Sequence, residues 1–195
     1  EHQGDFSPGS DVLLRKIDGA AVRMQRLIND LLSLSNLDQA SHPPKSVDLE
    51  VVARETIADL ENQIEDFGAT VTIDSPLPAV RADPIHMRQL FLNLIGNSLK
   101  YRKPAEPPLV RISGGRAEDP AFGFVRISDN GIGFEDKYRD RIFLLFQRLH
   151  RRDEYDGTGI GLAICRKIAR RHGGEISAHG APGLGSVFTV TLPLA

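Results

Sequence analysis

The chain has a single cysteine, Cys165, in 195 residues. One thiol excludes an internal disulfide, and without a cluster of thiols or histidines a structural zinc site is not expected. A reducing, cytoplasmic compartment fits that usage. The chain also lacks a charge of one sign. Its 24 Lys and Arg against 26 Asp and Glu leave a net −2, so no bulk field draws it to nucleic acid or to an anionic membrane. No apolar run approaches the roughly 20 residues that span a bilayer, which argues against direct membrane contact from this chain. Residues 1–11 are polar with Gly and Pro and do not read as a secretion signal. The chain opens on Glu1 without Met, and the expectation is a piece of a longer protein, with membrane association of the whole as one alternative. What is present, 41% hydrophobic and 26% charged residues, is ordinary for a globular protein with room for one domain and an appendage.

Over Ser10–Leu37, apolar residues fall at Leu13, Ile17, Ala20, Met24, Leu27, Leu31 and Leu34, in alternating steps of three and four. That spacing is a heptad seam. A second row, Leu14, Ala21, Ile28 and Leu32, widens the face beyond a two-helix seam and suggests a helical bundle. A helix packed only on its own domain is the plainer alternative. The stretch Ala40-Ser41-His42-Pro43-Pro44-Lys45 breaks any helix. The boundaries expected are a helical segment at 1–40, a linker at 41–46 and one α+β domain at 47–195.

Within that domain the periodicities predict a helix over Leu49–Phe67 ended by Gly68, and a strand over Ala69–Asp74. They also predict a helix from Pro84 to about Tyr101 capped by Asp83. Strands follow near Leu109–Ser113 and Phe122–Ser128. Asp136–His150 is read as partly helical and Thr158–His172 as a helix. Strands at Glu175–Ala178 and Ser186–Leu192 form a hairpin. The architecture expected is a mixed, largely antiparallel sheet with helices on one face.

Three groups carry the chemistry. Gln89, Asn93, Asn97 and Lys100 share one face of the Pro84–Tyr101 helix. Two asparagines four apart cost helix propensity. An amide carbonyl can take one position on Mg²⁺, and Lys100 adds a charge for phosphate. A solvated polar face would look the same. The first glycine box is Asp129-Asn130-Gly131-Ile132-Gly133-Phe134. A carboxylate at a strand end can accept from an exocyclic amine, while the glycines let a flat ring approach the backbone. A hairpin turn explains Asn130-Gly131 but not Gly133. The second box, Gly157-Thr158-Gly159-Ile160-Gly161-Leu162, opens a helix and offers free N–H groups to phosphate. It lacks the context of a Rossmann site and the Lys-Ser/Thr of a P-loop. Between the boxes, Phe134–Asp156 is long and charged, a plausible lid. From it Arg148 is a candidate to reach the outermost phosphate. Arg151 and Arg152 read better as solvated surface, as do Arg166, Lys167, Arg170 and Arg171. Together the three groups point to an ATP pocket under a mobile loop.

These residues resemble the sensor histidine kinases of two-component systems. Asn93-Leu-Ile-Gly-Asn97-Ser-Leu-Lys100-Tyr101 is similar to their N box, and the two glycine boxes match in order and spacing. Phe143-Leu-Leu-Phe146 resembles the F box and Gly183-Leu-Gly185-Ser186-Val-Phe188 the terminal glycine motif. Phe146–Gly159 is similar to the lids of phytochrome-like kinases. The resemblance implies the Bergerat fold shared with gyrase, mismatch-repair and chaperone ATPases. It implies that Asp129 binds the adenine amine and Asn97 binds Mg²⁺. It implies that Asn93, Lys100 and the glycines Gly157, Gly159 and Gly161 handle the phosphates; Arg148, Thr158, Tyr101, Gly131, Gly133 and Leu162 are further candidates to bind the nucleotide. Residues 10–37 then resemble the second helix of a dimerisation hairpin, with a homodimer and a response regulator receiver domain as partners.

Two positions qualify the resemblance. Hydrolytic relatives carry a general-base Glu one turn before the first asparagine. Here Gln89 stands there, and an amide takes no proton at neutral pH. Phosphoryl transfer asks more for positioning than for a strong base, so Gln89, Asn93 and Lys100 are expected at the reacting end of a kinase. None of the six histidines (His2, His42, His86, His150, His172, His179) sits in an acceptor box. The phosphoacceptor helix is expected upstream of Glu1. A degenerate nucleotide-binding scaffold is the alternative.

Overall fold

The computed structural model describes residues 8–37, 44–149, 155 and 157–195. His2, residues 41–43 of the expected linker with His42 among them, His150, Arg151 and Arg152 lie outside them. Helix α1 runs Pro8–Asn36, as the heptad spacing predicts. Its last turns dock on the domain: Leu37 is buried and Leu27 and Leu34 pack against the core. The rest of the seam is bare, with Leu13, Ile17 and Met24 each about 60% exposed. Among the described residues no helix is long and apolar enough to cross a membrane.

Five strands form the main sheet in the order β2-β4-β5-β7-β6, namely β2 Thr70–Ile73, β4 Leu109–Arg116, β5 Phe122–Asp129, β7 Gly185–Pro193 and β6 Glu175–Ala181. Only β2 and β4 are parallel; every other pair is antiparallel. Helices pack on one face, the α+β class expected. On β5, Val125 and Ile127 point inward and are buried. Against them lies α4 (Pro84–Lys100), whose inner face buries Met87, Leu90, Phe91, Leu94, Ile95 and Leu99. Asp83 caps it by accepting from the Ile85 N–H at 2.9 Å. Helix α5 (Gly161–Arg171) packs beside α4 and buries Ile164, Cys165 and Ile168.

Two features differ from the sequence expectation. The helix read over Leu49–Phe67 is divided into α2 (Leu49–Asp59) and α3 (Glu61–Asp66). At the joint Leu60 leaves helical geometry (φ −98°, ψ 6°) and its side chain is buried. Core packing thus overrides local propensity. Residues 45–48 and 79–82 pair as β1 (Lys45–Asp48) and β3 (Ala79–Ala82), a small antiparallel sheet with Val47 opposite Val80. Four-residue strands bounded by Pro78, Asp83 and Pro84 have too short an alternation to read from sequence.

Beneath the α4 cap sits a histidine pair, His86 and His172, with ring centroids 5.3 Å apart. The Asp83 N–H donates to His172 Nε2 at 3.0 Å, and His172 Nδ1 faces the Ile168 carbonyl at 2.8 Å. His86 is buried and its Nδ1 has no hydrogen-bond partner among the described residues. Burial holds its pKa below 6.5; Asp83 opposes this, while His172 and Arg171 reinforce it. The unfolded chain therefore takes the proton first. The stability this group contributes is complete above pH 6.5 and is lost as pH falls from there through the lower pKa of the folded state. Denaturant unfolding from pH 7.5 to 5 should show stability falling with acid, and His86→Gln should flatten that slope. An unchanged slope in the variant would remove His86 as its source.

Candidate nucleotide site

The site lies where α4, the two glycine boxes and the segment between them meet. Asp129 ends β5. Its Oδ1 accepts from the N–H groups of Gly131 (2.9 Å) and Ser186 (3.1 Å). Its Oδ2 accepts from the Ser186 hydroxyl at 2.7 Å and faces the Ser98 hydroxyl at 3.3 Å. Four donors converge on one carboxylate at the rim of a pocket lined by Asn97, Tyr101, Ile132, Gly133, Leu162 and Phe188. Apolar side chains on both sides and a carboxylate at the edge suit a flat ring that carries an amine.

The first glycine box is stitched in place rather than turned as a hairpin. The Ile132 N–H donates to the Tyr101 carbonyl and the Gly183 N–H to Ile132. Asn130 serves the neighbouring loop: its Oδ1 accepts from the Leu109 N–H and its Nδ2 donates to the Pro107 carbonyl. Gly133 has φ +63°, and a Cβ there would overlap the Ala181 carbonyl oxygen. No other residue fits.

At the other end, Lys100 Nζ donates to Tyr101 Oη at 3.0 Å and lies against Gly157, where a Cβ would strike it. Gly161 abuts the Asn93 amide, so its bare Cα leaves that side chain room. Asn93 Nδ2 is a buried donor with no nitrogen or oxygen hydrogen-bond partner among the described residues. Beside it is the Cys165 thiol, a weak acceptor at best, which burial pushes up to about 12. Asn97 and Gln89 are half-buried on the same α4 face and make no side-chain hydrogen bond to another described residue. An unpartnered amide, an ammonium and a string of bare glycines at a helix start fit a polyphosphate.

The described residues of the segment between the boxes lie along the cleft. It contains two 3-10 turns, Asp136–Tyr138 and Arg141–Phe143, rather than a regular helix. Of the two F-box aromatics, Phe143 is buried with Arg166 stacked 4.2 Å from its ring, while Phe146 is 59% exposed. Phe146 has φ +62°, and its backbone lies against Gly159. Gln147, Arg148 and Leu149 line the pocket. The Arg148 guanidinium donates to the carbonyls of Gly157 (2.6 Å) and Tyr155, and Tyr155 donates to the Arg102 carbonyl. In this conformation Arg148 ties the segment to the start of the second glycine box.

Three partners were absent from the sequence reading. Ser98 and Ser186 hold Asp129, and Ser186 lies within the terminal glycine motif. The third is α1. Its Asp30 accepts from the Thr158 hydroxyl at 2.5 Å, and Lys167 of α5 donates to the Leu34 carbonyl at 2.9 Å. Lys167, read as solvated, is thus a tie between α1 and α5.

Residues 82–195 match the family described as histidine kinase-, DNA gyrase B- and HSP90-like ATPases. The phytochrome-like protein Cph1 of Synechocystis sp. is 43% identical over 88% of this chain, which covers 22% of that protein. The chain spans less than a quarter of the length of this and the next two curated relatives. Among solved structures, full-length ShkA in complex with AMPPNP superimposes with a TM-score of 0.75 at 26% identity. That match covers 98% of this chain and 40% of ShkA. Histidine kinase ThkA in complex with the response regulator TrrA has the same TM-score at 20% identity, over 98% of this chain and 53% of that one, a likeness of fold. Residues 82–195 are more than half of the chain, and the chain belongs to the family of histidine kinase-, gyrase- and HSP90-like ATPases.

Proposed function

We propose that this chain is the ATP-binding catalytic domain of a sensor histidine kinase, residues 47–195, joined to a dimerisation helix within 1–40 by a linker at 41–46 whose last two residues already begin β1. One observation carries the reading. A carboxylate that can accept an amine, Asp129, stands at one end of a cleft whose other end gathers Asn93, Lys100 and the Gly157–Gly161 backbone. ATP supplies the phosphoryl group, which would pass to a histidine on a dimerisation helix outside this chain with ADP as the leaving group. Asp129 would orient the base, and Gly131 and Gly133 would let it lie against the backbone. Tyr101 and Leu162 would flank the nucleotide. Asn93, Lys100, Arg148 and the second box, including Thr158, would hold the phosphates. The Asn97 carbonyl would take one Mg²⁺ position, phosphate and water the others. Gln89 would help position the reacting end without acting as a base, which favours transfer over hydrolysis.

The bare apolar seam of α1 suits a second helix and a second copy in the whole protein. The fold shared with ThkA supports a response regulator receiver domain as the relay partner. The test is calorimetric titration with a non-hydrolysable ATP analogue, with and without Mg²⁺, followed by phosphorylation of a separately supplied acceptor hairpin. Magnesium-dependent binding and transfer support the proposal. Binding without transfer leaves a nucleotide-binding scaffold, and no binding by folded protein overturns the site.

The Asp30–Thr158 contact adds an expectation. It sets a carboxylate where the phosphates would come, and like charges oppose. Asp30→Asn should tighten ATP about threefold, the scale of one partly exposed charge, and leave adenosine unchanged. An equal gain for adenosine would mean that the helix merely blocks the cleft.

A further inference from the structure

We propose that Ser98 is a positioning residue for recognition of the adenine amine. Its single hydroxyl proton would serve Asp129 in the free protein and turn to the Leu94 carbonyl when the base enters. The proposal rests on the reading of Asp129 as the amine's acceptor. Ser98 is 2% exposed, on the inner face of α4 one residue after Asn97. Its Oγ lies 3.3 Å from Asp129 Oδ2 and 3.2 Å from the Leu94 carbonyl oxygen. A hydroxyl has one proton to give, so only one of these bonds exists at a time.

The carboxylate's own capacity forces the choice. Two oxygens offer about four acceptor sites. Gly131 and Ser186 N–H take Oδ1, and the Ser186 and Ser98 hydroxyls take Oδ2. An arriving amine N–H needs one of the four. The two backbone donors are fixed by the glycine box and by the start of β7. The Ser186 hydroxyl has no second acceptor among the described residues. Ser98 has one, the carbonyl one turn back, in a helical side-chain bond that costs little to form. Without a ligand the proton favours the carboxylate, because hydrogen bonds to a charged acceptor are stronger than those to a carbonyl.

The swap has a thermodynamic consequence. Each amine-bearing base that binds replaces a charge-assisted bond by a neutral one, so Ser98 tempers the gain from the amine. A base without the amine leaves Ser98 on Asp129 and incurs no exchange. The experiment measures dissociation constants by calorimetry for ATP and for purine riboside triphosphate, which lacks the 6-amine. It compares the wild-type chain, Ser98→Ala and Ser98→Thr. In Ser98→Ala the preference for ATP should rise about fivefold, the gap between charged and neutral hydrogen bonds. Ser98→Thr, which keeps the hydroxyl, should stay at the wild-type ratio. A general packing role would shift both ligands together and leave the ratio alone. An unchanged or smaller ratio in Ser98→Ala overturns the proposal. Equal affinity of the wild-type chain for the two nucleotides overturns the reading of Asp129 itself.

Discussion

Asp129→Asn is expected to weaken ATP binding by about a hundredfold or more while moving the melting temperature little. Two outcomes are possible for the amide. With its NH₂ in place of Oδ1, it sets donors against the Gly131 and Ser186 N–H groups, which cannot turn away. The side chain will therefore adopt the other flip, keeping an oxygen on those two N–H groups. Its NH₂ then faces the Ser98 and Ser186 hydroxyls, which can rotate to accept. The fold survives, but the edge offered to the base has become a donor. An adenine amine meets a donor and loses a charge-assisted bond, and a buried donor is left unmade. The loss is about 3 kcal/mol, roughly a hundredfold. Calorimetry on folded Asp129→Asn checks it. Affinity within threefold of wild type would mean that the base is read elsewhere.

The second large effect falls on stability. Gly185 opens β7 with φ +98°, and a Cβ there would overlap the Asp129 carbonyl oxygen. Gly185→Ala combines a conformation that L residues avoid with a clash against backbone, which has no rotamer to escape into. About 3–5 kcal/mol is expected, or a melting temperature about 10 °C lower for a chain of this size. Gly183→Ala is the internal comparison. It shares the left-handed backbone, φ +75°, but nothing lies within 4 Å of its Cβ. It should cost only about 1 kcal/mol. If the two variants melt together, the contact between the β6–β7 turn and the first glycine box is not what holds the site. If Gly185→Ala melts far lower, loss of nucleotide binding in it follows from the fold.

Much of this was legible in the sequence because it is local. The Asp83 cap with Pro84 behind it marks the start of α4, and its apolar spacing marks the buried face. The glycine boxes announce close approach before any contact is known. What was illegible depends on residues far apart in the chain. Ser98 and Ser186 meet at Asp129, 31 and 57 positions away, and a serine carries no pattern that says so. Asp30 reaches Thr158 across 128 positions. Phe143 and Phe146 look alike in the sequence, yet a left-handed turn buries one and exposes the other. The strands β1 and β3 are too short to alternate visibly and exist because they pair.

The sole cysteine gives the molecule a built-in clock. Cys165 is fully buried between α5 and α4 and keeps its proton at any ordinary pH, so a thiol reagent finds no nucleophile in the closed structure. Modification must wait for α4 and α5 to part, and its rate counts those openings. Asn93 lies beside the sulfur, so a nucleotide that engages that amide would lengthen the interval between events. The chain can thus be timed, with and without ligand, with no cysteine introduced.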